Sequence, residues 1–210
     1  MYHVPHFKTA DHEEVMAFIQ AHPFITLCGC DAAGKPVATH VPVWTEERGG
    51  KLFLLAHIMR KQEHTKAFEQ NADVLAIFTG AHTYVSASWY QDKQTAATWN
   101  YQAVHAKGLL RFLDDTGLHN LLTRLTETFE NDPHSPSLVQ HMDENYVSSL
   151  MKAIIAFEIE VTDIRHVFKL SQNKDEKTYN SVTDHLSYGD ADAKIVAEKM
   201  QERKHKVFPS

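Results

Sequence analysis

A chain of 210 residues, 43% hydrophobic and 23% charged, can bury a real core as one domain with an appendage, and its usage excludes wholesale disorder. A formal charge of −6 with neutral histidine argues against a surface built to grasp nucleic-acid phosphates, apart from a short basic tail at Lys199, Arg203, Lys204 and Lys206. The longest apolar runs, 52–58 and 153–157, are far short of a membrane span, and residues 1–5 show no signal-peptide pattern, so a reducing cytoplasm is expected and no membrane.

In chain order, 11–21 reads as a helix, with Asp11 as cap, Glu14 as its capping-box partner and Val15, Phe18 and Ile19 as an apolar stripe. Pro23 closes it. The period then becomes strand-like: strand 24–30, hairpin loop 31–35, return strand 36–45, turn 46–50 and third strand 51–57, in meander order. Cys28 and Cys30 lie two apart on the first strand, which puts both on one face without disulfide geometry. A short helix at 60–71 and a strand at 73–79 follow, then a loop at 80–82 and an extended piece at 83–87. An irregular excursion at 88–97 leads into a long strand, 98–113, bent at Gly108. Residues 115–130 form an amphipathic helix with Leu118, Leu121, Leu122, Leu125 and Phe129 on one face. A weaker helix at 142–151 and a final strand at 153–163 complete the set. Beyond Phe168 the chain turns polar and is expected to end in helices over 175–186 and 190–204 with little core of their own. The expected class is mainly β with helices (α+β): an antiparallel barrel with peripheral and C-terminal helices, over domains 1–173 and 174–210.

Fifteen histidines invite a metal reading, but no HExxH or Cys/His cluster exists, and His3, His6, His134 and His141 fall in expected loops or near element ends; no metal is expected. There is no GxGxxG or Walker loop and no plain helix-turn-helix pair. Four segments carry more polarity and aromaticity than a barrel core requires. In 38–42, alternation puts Thr39 and Val41 on one face and His40 on the other. At 57–61, His57, Arg60 and Lys61 stand where a strand meets a helix, and cations at a helix start are disfavoured unless an anion joins them, which suits a phosphate. Segments 82–90 and 98–101, followed by His105, set aromatic rings beside Thr and Asn. Trp99 and Tyr101 share one face and Thr98 and Asn100 the other, an arrangement able to flank a planar ring and bond its edge.

Together, Ala-Thr-His-Val-Pro (38–42), His57 with Arg60-Lys61, Tyr-Val-Ser-Ala-Ser-Trp-Tyr (84–90), Thr-Trp-Asn-Tyr (98–101), Val-His-Ala-Lys-Gly (104–108) and Phe-Lys-Leu-Ser-Gln-Asn (168–173) resemble the PaiB family, described as FMN-binding negative transcriptional regulators. The match runs in order to about residue 173. The resemblance implies a split β-barrel of the pyridoxamine 5′-phosphate oxidase-like type, assembled as a homodimer with FMN at the subunit interface. Thr39, His40 and Val41 would line the cofactor beside His57, and Arg60 and Lys61 would hold its phosphate. Trp99 and Asn100 would approach from the partner subunit, with Lys169, Gln172 and Asn173 in the same neighbourhood. Arg60-Lys61-Gln62-Glu63-His64 departs from the family's usual Arg-Ala-Asn-Pro-Gln, and Ala87 and Ala97 replace its prolines. A redox-capable flavoprotein with no visible catalytic acid or base is the leading expectation, and whether it is an FMN-dependent oxidoreductase is left open. The alternatives are a transcriptional regulator acting through ligand or partner binding, with direct DNA binding not expected, and a haem-binding split barrel.

Overall fold

The computed structural model describes residues 4–9, 11–92 and 94–209, so His3 lies outside the described residues. Seven strands form one sheet among these residues: β1 (Phe24–Cys30), β2 (Pro36–Pro42), β3 (Trp44–Arg48), β4 (Lys51–Met59), β5 (Asp73–Val85), β6 (Thr98–Phe112) and β7 (Ile154–Lys169). Their order is β2-β1-β5-β6-β7-β4-β3. The first four strands are therefore two hairpins rather than a meander. β1 pairs antiparallel with β2 from Phe24↔Pro42 to Cys30↔Pro36, and β3 with β4 from Trp44↔Leu55 to Arg48↔Lys51. Gly49 and Gly50 alone make the second turn, both at positive φ, so the expected turn at 46–50 shrinks to two residues and Glu46–Arg48 joins a strand.

One residue, Val43, separates β2 from β3, although these strands occupy opposite ends of the sheet order. Its N–H donates to the Pro23 carbonyl at 2.8 Å and its side chain is buried. A link that short requires the sheet to curl until its ends meet, and β2 does touch β4. This is an antiparallel split barrel with helices around it.

Among the described residues, five of the six α-helices start on an aspartate whose carboxylate accepts from the third residue of the helix. Asp11 caps α1 (His12–Ala21), Asp114 α3 (Asp115–Glu130), Asp143 α4 (Glu144–Met151), Asp175 α5 (Glu176–Ser187) and Asp190 α6 (Ala191–Val207). The exception is α2 (Glu63–Gln70), where Gln62 forms no side-chain cap. That helix starts three residues later than expected, which leaves Arg60 and Lys61 in the turn after β4.

The chain divides into two compact units. One comprises Pro23–Phe78 and His105–Ile164. Here β4 is buried almost continuously from Leu52 to Ile58, the mark of a strand covered on both faces. Phe53 and Leu55 pack with Leu118, Leu121 and Leu125 of α3, whereas Phe129, expected on the same stripe, is exposed. β6 runs unbroken through Gly108. A Cβ there would collide with the Glu160 carbonyl and Ile159 on β7, so the glycine permits close approach of two strands.

The other unit comprises Met1–His22, Thr79–Val104 and Arg165–Ser210. Gly80 was expected to open a loop, but β5 runs through it unbroken. The Phe18 ring of α1 fills the space a Cβ would take, at 2.9 Å, so the glycine again answers to packing. The terminal helices also differ from expectation, because they share a real core: Val182, Leu186, Val196, Ala197 and Met200 pack with Val85, Leu170 and Tyr179. The Tyr179 hydroxyl donates to the Met200 carbonyl at 2.6 Å. No helix among the described residues is long and apolar enough to cross a membrane.

Candidate functional site

The unit of Pro23–Phe78 and His105–Ile164, here the barrel unit, holds six of the candidate residues. On β2, Thr39 is half-buried and Val41 buried while His40 is exposed, as strand alternation dictates. His40 stacks loosely on the exposed Phe24 ring, 6.2 Å away. His57, near the end of β4, has a buried Nδ1 without a hydrogen-bond partner. Burial lowers its pKa, so the imidazole is neutral with one ring nitrogen unsatisfied. In the following turn the Arg60 N–H donates to the Ala153 carbonyl, and the Thr65 hydroxyl donates to the Met59 carbonyl, which pins the turn to the strand it leaves. The Arg60 guanidinium lies 3.2 Å from Asp115, a carboxylate 83% exposed, and with it lines a pocket of about 580 Å³ that also meets Ser148, Met151 and Lys152. Such an open pair is weak, so a dianion can compete for the arginine. Lys61 is exposed beside it.

These observations test the site against a phosphate-bearing cofactor. Arg60, Lys61 and the first N–H groups of α2, which no side chain caps, follow one another in the chain and are donors of the kind a phosphate monoester takes, and His57 offers an unsatisfied polar atom nearby in sequence. The residues fit.

The unit of Met1–His22, Thr79–Val104 and Arg165–Ser210, here the helical unit, holds the other five. Trp99 is 53% exposed and meets Tyr84 edge-on and His82 at a tilt, so these rings form a surface patch rather than core. Trp89, half-buried, stacks on His185 at 4.9 Å. Asn100, the next residue on β6, is wholly buried. Its amide donates to the Ser171 hydroxyl at 2.9 Å and to the Met200 sulfur at 3.5 Å, and that hydroxyl donates back to Oδ1. Ser171 has φ +61°, a conformation L-residues seldom adopt, and this buried bond pair holds the turn after β7 in place. Gln172 closes the same turn locally, donating to the Phe168 carbonyl and accepting from the Leu170 N–H. Lys169 donates to the Thr98 hydroxyl. Burial, then the charge of Lys174, pushes its pKa down. Asn100, Lys169 and Asn173 meet in one pocket of about 390 Å³, and Trp99 is not among its lining. Sequence reasoning missed Ser171 and Lys174. Both stand in or beside the 168–173 motif, but a left-handed serine carries no sequence signature.

The curled seven-strand sheet defines a split-barrel protein, and the turn at 60–62 sets two cations ahead of a helix start that no side chain caps. Residues 1–163 match the family model described as "Putative FMN-binding domain". The chain is also 34% identical over 204 residues, 97% of this chain and 98% of the relative, to the "Protease synthase and sporulation protein PAI 2" of Bacillus subtilis (strain 168). It belongs to this family, the PaiB family of FMN-binding split barrels, and FMN is the cofactor that goes with it. Among solved structures, the FAD and heme binding protein from Mycobacterium smegmatis has the same fold, with TM-score 0.57 and 15% identity, 77% of this chain and 72% of that one being covered. The flavocytochrome Anf3 from Azotobacter vinelandii matches at TM-score 0.53 and 17% identity over 82% and 74%.

Proposed function

We propose that the protein is a redox-capable flavoprotein that seats the FMN phosphate on Arg60 and Lys61 and completes the site with a second copy of itself. The observation that carries this reading is the turn at 60–62: two cations placed before the one α-helix among the described residues whose first N–H groups lack a side-chain cap. Thr39, His40 and Val41 on β2 and His57 on β4 line the cofactor. Trp99 of the partner subunit covers it, with Asn100 fixing the strand that carries the tryptophan, and Lys169, Gln172 and Asn173 belong to the same neighbourhood. Bound FMN supplies hydride and single-electron transfer. The chain's own part is to hold the phosphate, orient the ring and exclude water. The exposed patch of His82, Tyr84 and Trp99 supports the dimer, because a symmetric contact covers such a surface with itself.

FMN is expected to bind at least about tenfold more tightly than riboflavin, since charge-assisted contacts contribute roughly 1.5–3 kcal/mol each. Equal affinities measured by flavin fluorescence quenching would remove Arg60 and Lys61 from the site. For the shared site, Arg60→Ala and Trp99→Ala homodimers should each bind FMN poorly, while their heterodimer should recover about half the wild-type capacity, because one of its two sites carries both lesions and the other neither. No recovery in a verified heterodimer would sink the shared-site model. Flavin bands rather than a Soret band in the purified protein would separate this reading from haem binding, which the M. smegmatis neighbour's name raises.

A second reading, regulation of transcription through a ligand or partner, draws on the sporulation name of the 34% identical relative. With a net charge of −6, direct promoter binding is not expected. A salt-resistant, sequence-selective gel shift would reverse that. The free thiols Cys28 and Cys30 accord with a cytoplasmic location.

A further inference from the structure

We propose that the groove between α1 and α6 binds a neutral planar ring whose edge carries a hydrogen-bond donor beside an acceptor, as a lactam or carboxamide does, with that edge paired to the Gln102 amide. The groove lies wholly within the helical unit, and its volume of about 350 Å³ is in the range of small-molecule sites. Strands β5, β6 and β7 supply Ala81, Gln102 and Phe168 to its lining, and the two helices supply Ala17, Phe18 and Ile195. The small side chains of Ala17 and Ala81 leave room, and the Phe18 and Phe168 rings, 5.2 Å apart, offer aromatic surface to a flat ligand. Phe18 is held in place from behind. The His22 ring stacks on it at 4.1 Å, and His22 Nδ1 donates to the Phe18 carbonyl at 2.8 Å.

Charge selects against an ionic ligand. Lys199 pairs with Glu202 at 2.7 Å and Arg203 with Glu14, and all four residues line the groove. Each cation already has an acid beside it, so an ion entering the groove must displace a partner. One polar group is left over. Strand alternation turns Gln102 to the face of buried Val104, opposite exposed Trp99, and among the described residues its half-buried amide has no hydrogen-bond partner. A primary amide presents N–H and C=O side by side, so it bonds two complementary groups on one ring edge at once. The apolar lining around it keeps water from competing for those bonds. None of the residues assigned above to the flavin site lines this groove, so the inference does not rest on that reading.

The test titrates 2-quinolone, a bicyclic lactam, into the full chain and follows amide shifts by NMR in the FMN-free and FMN-loaded forms. Two relatives serve as controls: N-methyl-2-quinolone, which lacks the donor, and quinoline-2-carboxylate, which is charged. The lactam is expected to bind saturably in both forms, with an affinity that salt does not change, and about fivefold or more tightly than its N-methyl relative. The carboxylate should not saturate the groove. Gln102→Leu keeps the apolar lining and should bring the two neutral ligands to equal affinity. Ala17→Phe should abolish binding by filling the groove, and because Ala17 is exposed on α1 this variant keeps the test decisive if Gln102→Leu fails to fold. Absence of saturable lactam binding, a preference for the lactam that survives in Gln102→Leu, unchanged binding in Ala17→Phe, or tighter binding of the carboxylate would each overturn the proposal. Loss of lactam binding on FMN loading would overturn it as a separate site.

Discussion

Each of the two units holds a buried polar anchor, and the two anchors differ in kind. In the barrel unit the buried group is a charge: Glu158 on β7, with a side chain only 8% exposed, receives Arg48 at 2.6 Å and Arg111 at 2.5 Å. Burial would raise its pKa, but the two guanidinium hydrogen bonds outweigh that and hold the carboxyl below its usual range. Both arginines reach in from the surface, and Arg48 also lies over the Phe53 ring at 3.8 Å. In the helical unit, which also holds the largely buried pair of Glu14 and Arg203, the deepest polar side chain among the described residues is a neutral amide, Asn100, whose partners Ser171 and Met200 are themselves buried. The charge can be rescued by water when its partners swing away. The amide has no such recourse, so the helical unit should tolerate loss of its polar anchor less well.

Four substitutions and one titration would sharpen or break this contrast. Gly108→Ala should have the largest effect, about 3 kcal/mol of unfolding free energy in chemical denaturation, because the added methyl meets β7 backbone that cannot move aside. Asn100→Ala should follow at about 2 kcal/mol, from the stranded Ser171 hydroxyl and the small cavity, and hydrogen exchange should quicken in the 170–174 turn. An Asn100→Ala protein as stable as wild type would remove the amide as an anchor.

Glu158→Gln should lose about 1 kcal/mol near neutral pH, the modest figure reflecting arginines open to solvent. Because its folded pKa is depressed, the carboxylate's contribution is present above the unfolded value of about 4.3 and fades as pH falls below it. The variant's stability should therefore converge on wild type in acid. Burial also depresses the pKa values of His57, His64, His105 and His166. The unfolded chain then binds more protons than the folded one below about pH 6.5, so stability should decline gradually from about pH 7 toward about pH 5, where a flat profile of denaturation midpoints would contradict the burial of these rings. The smallest effect belongs to Asn131→Gly. Asn131 ends α3 in the left-handed region, which asparagine already tolerates, so the change should stay within about 0.5 kcal/mol.

Local periodicity and capping chemistry made most elements legible from residue order alone. The aspartate-capped helices lie where Asp11, Asp114, Asp143, Asp175 and Asp190 precede apolar-periodic segments, and β1, β6 and the Gly34 turn follow from alternation and turn residues. The candidate motifs were likewise readable as motifs, since family resemblance needs only their identity and order. Tertiary contact decided the rest. Gly80 and Gly108 look like breaks in a sequence, but each sits inside an unbroken strand because a ring or a carbonyl from a distant element occupies the space of its missing Cβ. The split of one supposed return strand into β2 and β3 at Val43 depends on closure of the sheet, a property of the whole barrel. The engagement of Asn100 with Ser171, 71 residues away, likewise exists only once β6 and the end of β7 are folded. Residue order determines what the backbone does over a few residues, where sterics and capping are local; which side chains share a pocket is decided by packing between elements far apart in the chain.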